Sequence, residues 1–132
     1  MRTGLRALAA SVAAALVLAS PSQAAEAGNV LYKGMTLIDG AGAAPQPDMA
    51  IITEGERIAM VFPAQRLEIM RLRPMPVVEA KGLSAIPTPG SGGRIAEGEV
   101  ADITFLRADP SKDKSALKQI AFTVRRGVRS AP

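Results

Sequence analysis

The chain has 132 residues, a formal charge of +4, and neither histidine nor cysteine. This length suits one domain and is too short for a complete α/β barrel. Without cysteine the chain has no disulfide, thiolate metal site or cysteine nucleophile, and without histidine it lacks the commonest general base near neutral pH. Only 3% of the residues are aromatic. The predicted core therefore consists of valine, isoleucine, leucine, methionine and alanine.

The first segment has the pattern of a secretory signal peptide, predicted over residues 1–24. Arg2 and Arg6 precede the run 7–19, which is alanine, leucine and valine except for Ser11, and small residues follow. Cleavage is predicted ahead of Ala25 or ahead of Gly28, and the choice stays open. The run is shorter than the roughly 20 residues that span a bilayer. We therefore predict a helical, cleaved signal, a periplasmic or secreted protein, and no stable membrane span.

Beyond the leader, short apolar runs alternate with glycine, proline and aspartate, which is typical of strands joined by turns. The predicted strands are 30–32, 35–38, 49–53, 57–62, 77–80, 83–86, 102–107 and 120–126. Pro63 suits the first position of a short helix over 64–70, and a second short helix is predicted within 111–118. About seven short strands with one or two short helices predict a mainly all-β fold, a small β-sandwich or flattened barrel.

The clearest local signal is a hairpin around Gly55, which lies between Glu54 and Glu56. Strict alternation along its second strand predicts that Ile58, Met60 and Phe62 share one face. Arg57, Ala59 and Val61 would then occupy the opposite face. A second feature is the stretch 88–93, Thr-Pro-Gly-Ser-Gly-Gly, which is predicted to be a junction between two halves, 25–87 and 94–132.

Four stretches of the chain resemble the metal-dependent amidohydrolase superfamily, and are most similar to its imidazolonepropionase-like and prolidase-like members. They are 37–42 with Asp39-Gly40, the hairpin 51–59, 78–87, and 93–103, which follows Gly-x-Ile-x-x-Gly-x-x-Ala-Asp. Asp109-Pro110 and the closing Arg126-Gly127 also fit. The resemblance implies that the two halves pair into the family's small β-sandwich, from which the catalytic barrel between them is missing.

In the family, the barrel carries the metal-binding histidines, the bridging lysine and the metal-bound aspartate. No residue of this chain aligns with them. Zinc sites also need several converging nitrogen, sulfur or oxygen ligands, of which this chain offers only oxygens. We therefore predict no catalytic, cofactor-binding or metal-binding residues and no cofactor. The resemblance implies ancestry in hydrolases of carbon–nitrogen bonds without transferring the hydrolysis.

Four residue patterns have a chemical interpretation that we rank below a solvated turn. Ser111 and Lys114 have the spacing of a serine–lysine nucleophile pair. The pairs Asp109 with Asp113 and Glu97 with Glu99 could act in acid–base catalysis or bind calcium, yet neither spacing matches a calcium-binding loop. The stretch 90–93 is glycine-rich like a phosphate loop but lacks the following Lys-Ser/Thr.

The basic residues do not predict nucleic-acid binding. All acidic residues follow the leader, so loss of Arg2 and Arg6 lowers the charge from +4 by two, to +2. Aromatic residues that could stack on bases are also scarce. The arginines that could form a basic patch are Arg66, Arg71, Arg73, Arg125, Arg126 and Arg129. We interpret them as solvated strand ends or as contacts to anionic lipid headgroups.

Three hypotheses about function remain. The first is an exported, non-catalytic β-sandwich that self-associates or binds a protein partner through the surface that would face the missing barrel. The second is a hydrolase component that acts on carbon–nitrogen bonds together with a separate barrel subunit. The third is a decayed gene product. Metal-dependent hydrolysis that requires both this chain and a barrel protein would separate the second from the first.

Overall fold

The computed structural model describes residues 28–132, and its fold is mainly β, as predicted. The predicted signal peptide and its cleavage sites lie outside these residues. The strands are β1 (Val30–Leu37), β2 (Gln46–Glu54), β3 (Arg57–Pro63), β4 (Val77–Glu79), β5 (Ser84–Pro87), β6 (Ile103–Leu106), β7 (Ile120–Arg125) and β8 (Val128–Ser130). Two short 3₁₀ helices, helix 1 (Ala64–Glu68) and helix 2 (Lys114–Lys118), fall where short helices were predicted. Between residues 28 and 132, no helix is long and apolar enough to cross a membrane.

The strands form one continuous sheet in the order β3-β2-β1-β5-β6-β7-β8, and β4 pairs with β1 beside this path. One core cluster contains Ile58 from β3 and Val124 from β7, strands near opposite ends of that order. The sheet curls around this cluster, because segment 98–101 bonds to both ends of the strand order: the Ile58 amide donates to the Glu99 carbonyl and the Gly127 amide donates to the Ala101 carbonyl. Tyr32, Phe105 and Phe122 stack in this cluster, with successive ring centroids 5.3 and 4.5 Å apart. The prediction of a purely aliphatic core is therefore wrong, because the few aromatic residues are concentrated inside, where their large apolar area is removed from water.

The other face of β1, β2 and β3 has its own apolar cover. Leu31, Ala50, Ile52 and Phe62 are buried there. The cover is helix 1 and the connector after it, whose packed side chains are Ala64, Leu67, Met70, Leu72 and Met75. Both faces of these strands are therefore buried, which explains the continuous apolar run 49–52 in place of an alternating one.

The prediction that Ile58, Met60 and Phe62 share one face is wrong. Ile58 pairs with Thr53 and Met60 with Ile52, so Ala59 is an extra residue, a β-bulge, in β3. The bulge turns Ile58 toward the main core and Met60 and Phe62 toward the second cluster. Thr53, opposite the bulge, is fully buried, and its hydroxyl has no hydrogen-bond partner among the described residues.

Gly34 allows two strands to pair on the same side of β1. Strand β4 pairs in parallel with residues 31–33 and β5 pairs in parallel with residues 36–37. The chain between them bulges at Lys81 and Gly82 and lies directly against Gly34. A Cβ atom at Gly34 would lie 3.1 Å from the Lys81 backbone nitrogen, and φ there is +94°. The predicted strands 30–32 and 35–38 are therefore one strand with an irregularity at this glycine.

We expect Gly34→Ala to destabilise the fold by about 1–3 kcal/mol, because it adds both left-handed strain and a backbone clash. Gly55→Ala is the matched control, since Gly55 also has positive φ but no atom within 4 Å of its would-be Cβ. The free energy of unfolding, measured in urea for both variants, checks this. Equal losses in the two variants would contradict the close approach at Gly34.

Candidate functional site

The junction 88–93 lies at the end of the β5–β6 pair and is held by hydrogen bonds to the start of β6 and within the junction itself. The Thr88 amide donates to the Asp102 carbonyl at 3.1 Å, and the Thr88 and Thr104 hydroxyls are 3.0 Å apart. The Ser91 amide donates to the Thr88 carbonyl, and the Gly93 amide donates to the Ser91 hydroxyl at 3.3 Å. Two amides of the glycine-rich stretch are thus used within the loop. This leaves a turn rather than a cradle of free amides for a phosphate.

Ser111 and Lys114 do not form a nucleophile pair. The Ser111 hydroxyl and amide both donate to the Asp109 carboxylate. In the same way, the Ser115 hydroxyl and amide donate to Asp113, which caps the N-terminus of helix 2. These are local aspartate turns, in which the serine hydroxyl is held by a carboxylate two residues earlier.

The same contacts lower two pKa values. The Ser111 hydroxyl, followed by its amide, lowers the pKa of Asp109. The Ser115 amide, followed by its hydroxyl, lowers the pKa of Asp113. Because folding favours the ionised carboxylates, any stability they contribute is complete above the ordinary aspartate pKa and is lost as the pH falls through the lowered values. Both groups are therefore carboxylates at neutral pH, unsuited to act as general acids.

Glu97 and Glu99 act separately. The Glu97 carboxylate accepts a hydrogen bond from the Val61 amide at 3.4 Å, on the outer edge of β3. Glu99 lies 3.9 Å from the Arg94 guanidinium. In the part of the chain from residue 28 onward, no three acidic side chains converge closely enough to hold a metal ion.

The candidate arginines divide between two regions. Arg66 lies in helix 1, which contacts β2 and β3, and Arg71 and Arg73 follow it in the connector. Arg125, Arg126 and Arg129 belong to the β7–β8 hairpin at the opposite end of the strand order. The six arginines therefore come from two separate segments of the chain.

A charged groove of about 480 Å³ was not predicted from the sequence. Its lining residues are Lys33, Gly34, Asp48, Ala64, Leu67, Glu68, Glu79 and Lys81. Lys33 and Glu79 form an exposed ion pair at 3.7 Å across its wall. The lining comes from β1, β2, helix 1, and β4 with the turn after it, so no single segment signals it. Two lysines face three carboxylates in it, and its lining contains no serine, threonine or tyrosine hydroxyl.

Comparison with known proteins gives little. No protein-family model and no curated protein matches the chain. Among solved structures, one described as a structural and catalytic characterization of molinate hydrolase is similar to 47% of this chain. The identity is 28% and the TM-score is 0.40. The matched part is 13% of that chain's length.

We expect Ser111→Ala to raise the pKa of Asp109 toward the ordinary aspartate value, because the largest contact that lowers it is lost. The pKa of Asp113 should stay unchanged. Ser115→Ala is the reciprocal control, which should raise the pKa of Asp113 alone. Carboxyl chemical shifts followed by NMR during an acid titration measure both groups. A coupled change in both carboxylates would contradict two independent turns.

Proposed function

We propose that this chain is an exported β-domain of the amidohydrolase type that has no catalytic activity of its own and acts by binding another protein. The family assignment depends on the four sequence stretches that resemble the superfamily. These stretches are distant in sequence but interact in the structure. The Ile95 amide, in the 93–103 stretch, donates to the Asp39 carbonyl at 3.0 Å. The Ile58 amide donates to the Glu99 carbonyl at 2.8 Å.

The observation that carries the proposal is the direct pairing of β5 with β6. The resemblance implies that a catalytic barrel follows Pro87 and ends before Gly93. Instead, Pro87 pairs with Ile103 and Ser84 with Leu106 in an unbroken antiparallel ladder. The two strands that would flank the barrel are thus neighbours, joined by a loop of residues 88–102. This pairing supports a sheet that is complete without an inserted barrel.

The motif residues have evident structural roles. Gly98 has φ of +88°, Ala101 is fully buried, and the Asp102 carboxylate accepts the Arg126 amide at 2.8 Å. Each role concerns a turn or the core. The motif therefore supports shared ancestry of the fold and adds no reactive group.

The distribution of exposed apolar side chains favours binding through a sheet edge over binding through a broad apolar surface. The exposed large apolar residues of the described chain are Ile69, Val77 and Leu117. They lie after helix 1, in β4 and in helix 2, and single apolar residues of this kind are ordinary on protein surfaces. Contact through backbone at a sheet edge suits such a surface better than contact through an apolar patch.

We expect the purified full chain, supplied with Zn²⁺, Mn²⁺ or Co²⁺, to hydrolyse amide and ester substrates no faster than the metal ion alone. The physical reason is the lack of histidine and cysteine ligands. Chromogenic anilides and esters measure the rate, elemental analysis measures bound metal, and heat-denatured chain is the control. Stoichiometric zinc with hydrolysis by this chain alone would overturn the proposal. Activity that appears only with a co-expressed barrel protein would favour a hydrolase component instead.

For export, we expect the full chain with a C-terminal tag to accumulate in the periplasm of a double-membrane bacterium, starting at Ala25 or Gly28. Arg2→Glu with Arg6→Glu should block processing, because the signal needs a positive start. Arg71→Glu with Arg73→Glu is the matched control for charge. Mass spectrometry of the fractions measures the start. An unprocessed cytoplasmic chain with the native arginines would contradict export.

A further inference from the structure

The two edge strands of the sheet, β3 and β8, differ in whether their outer side is contacted by other described residues. The outer side of β3 is covered at its start by a bridge from Arg57 to Val100, and the Glu97 carboxylate accepts its Val61 amide. At the other end, β8 pairs with β7 only, and no described strand lies on its outer side. An unpaired strand is a template for a strand from another chain.

The turn before β8 determines which backbone groups are free. Arg126 and Gly127 have φ of +50° and +84°, as a two-residue hairpin turn requires. Arg125 pairs with Val128 next to the turn, and Thr123 pairs with Ser130 two residues farther along the strands. Alternation of the antiparallel ladder then points the N–H and C=O of Arg129 away from β7. Arg129 therefore offers one donor and one acceptor to an added strand.

The same residue offers a positive charge. Arg126 is near a carboxylate, with its Nε 4.0 Å from Glu56. Arg129 has no carboxylate within 4 Å among residues 28–132, and its guanidinium lies 5.4 Å from the centre of the Phe122 ring. Beside it is a depression of about 380 Å³, lined by Ala121, Phe122, Arg129, Ser130 and Ala131. This depression has an apolar wall and a cationic rim.

We infer that β8 binds an extended acidic segment of a partner protein, which adds as a strand with a glutamate opposite Arg129. The glutamate methylene groups would pack on Phe122, and its carboxylate would pair with the guanidinium. The added backbone would exchange hydrogen bonds with the N–H and C=O of Arg129. This inference rests on the proposed binding function and names the edge and the partner chemistry.

Charge also disfavours a second copy of the chain at this edge. A two-fold pairing of β8 with itself, centred on its outward-pointing residue, places Arg129 opposite Arg129. Like charges directly opposite in a sheet are destabilising. An acidic partner instead supplies the charge that this position lacks.

The test titrates the full chain into a fluorescein-labelled peptide of alternating threonine and valine with one central glutamate, and measures fluorescence anisotropy at low salt. Arg129→Gln removes the charge and keeps the outward N–H, and we expect it to weaken binding about tenfold. Arg129→Pro removes both the charge and the outward N–H. It breaks no hydrogen bond to β7, since proline is tolerated where the N–H faces outward. We expect it to abolish binding. Arg66→Gln, on helix 1, is the control and should bind like the unaltered chain.

A peptide with central lysine should not bind, and Arg129→Pro should keep the thermal unfolding transition of Arg129→Gln. Equal peptide binding by the native chain, Arg129→Gln and Arg129→Pro would overturn the edge assignment. So would a dimer that depends on Arg129, or binding to anionic phospholipid vesicles but not to the peptide. None of these outcomes bears on hydrolysis, which the metal assay decides separately.

Discussion

The segment 98–101 connects, through backbone hydrogen bonds, two hairpins from opposite ends of the strand order. The Gly98 amide donates to the Ile58 carbonyl and the Ala101 amide to the Glu56 carbonyl, both at 2.8 Å. On the other side, the Gly127 amide donates to the Ala101 carbonyl at 3.1 Å. These bonds hold the β2–β3 turn and the β7–β8 turn together. The curl of the sheet, and with it the main core cluster, depends on this contact.

The closure also explains why the junction can be short. Strands β5 and β6 are already neighbours, so their connection has only to reverse direction before it reaches the closing segment. Thr88 and Thr104 join its two ends, and Ile95 inserts a buried side chain into the core on the way. The contacts of this loop therefore help to stabilise the folded sheet. A connection of this kind lets β5 and β6 pair directly without an inserted segment.

Local patterns predicted the hairpin at Gly55, the helix after Pro63 and most strands, because turns and short helices depend on neighbouring residues. They failed where pairing with another strand decides the outcome. The bulge at Ala59 reverses the side-chain alternation of β3, and nothing in its local sequence requires an extra residue there. Likewise, Ser111 has the spacing for Lys114, but the nearer Asp109 carboxylate binds its hydroxyl. The charged groove is assembled from four separate segments and has no local signal.

The sequence alone determined the mainly β class and the lack of histidine and cysteine ligands, because composition and turn residues act locally or are simply counted. Tertiary structure alone decided that the strands form one curled sheet, that β3 is a protected edge, and that Arg129 directs its backbone outward. Each of these depends on register and on hydrogen bonds between segments distant in the chain. Such pairing is a property of the assembled sheet, which short-range patterns do not encode.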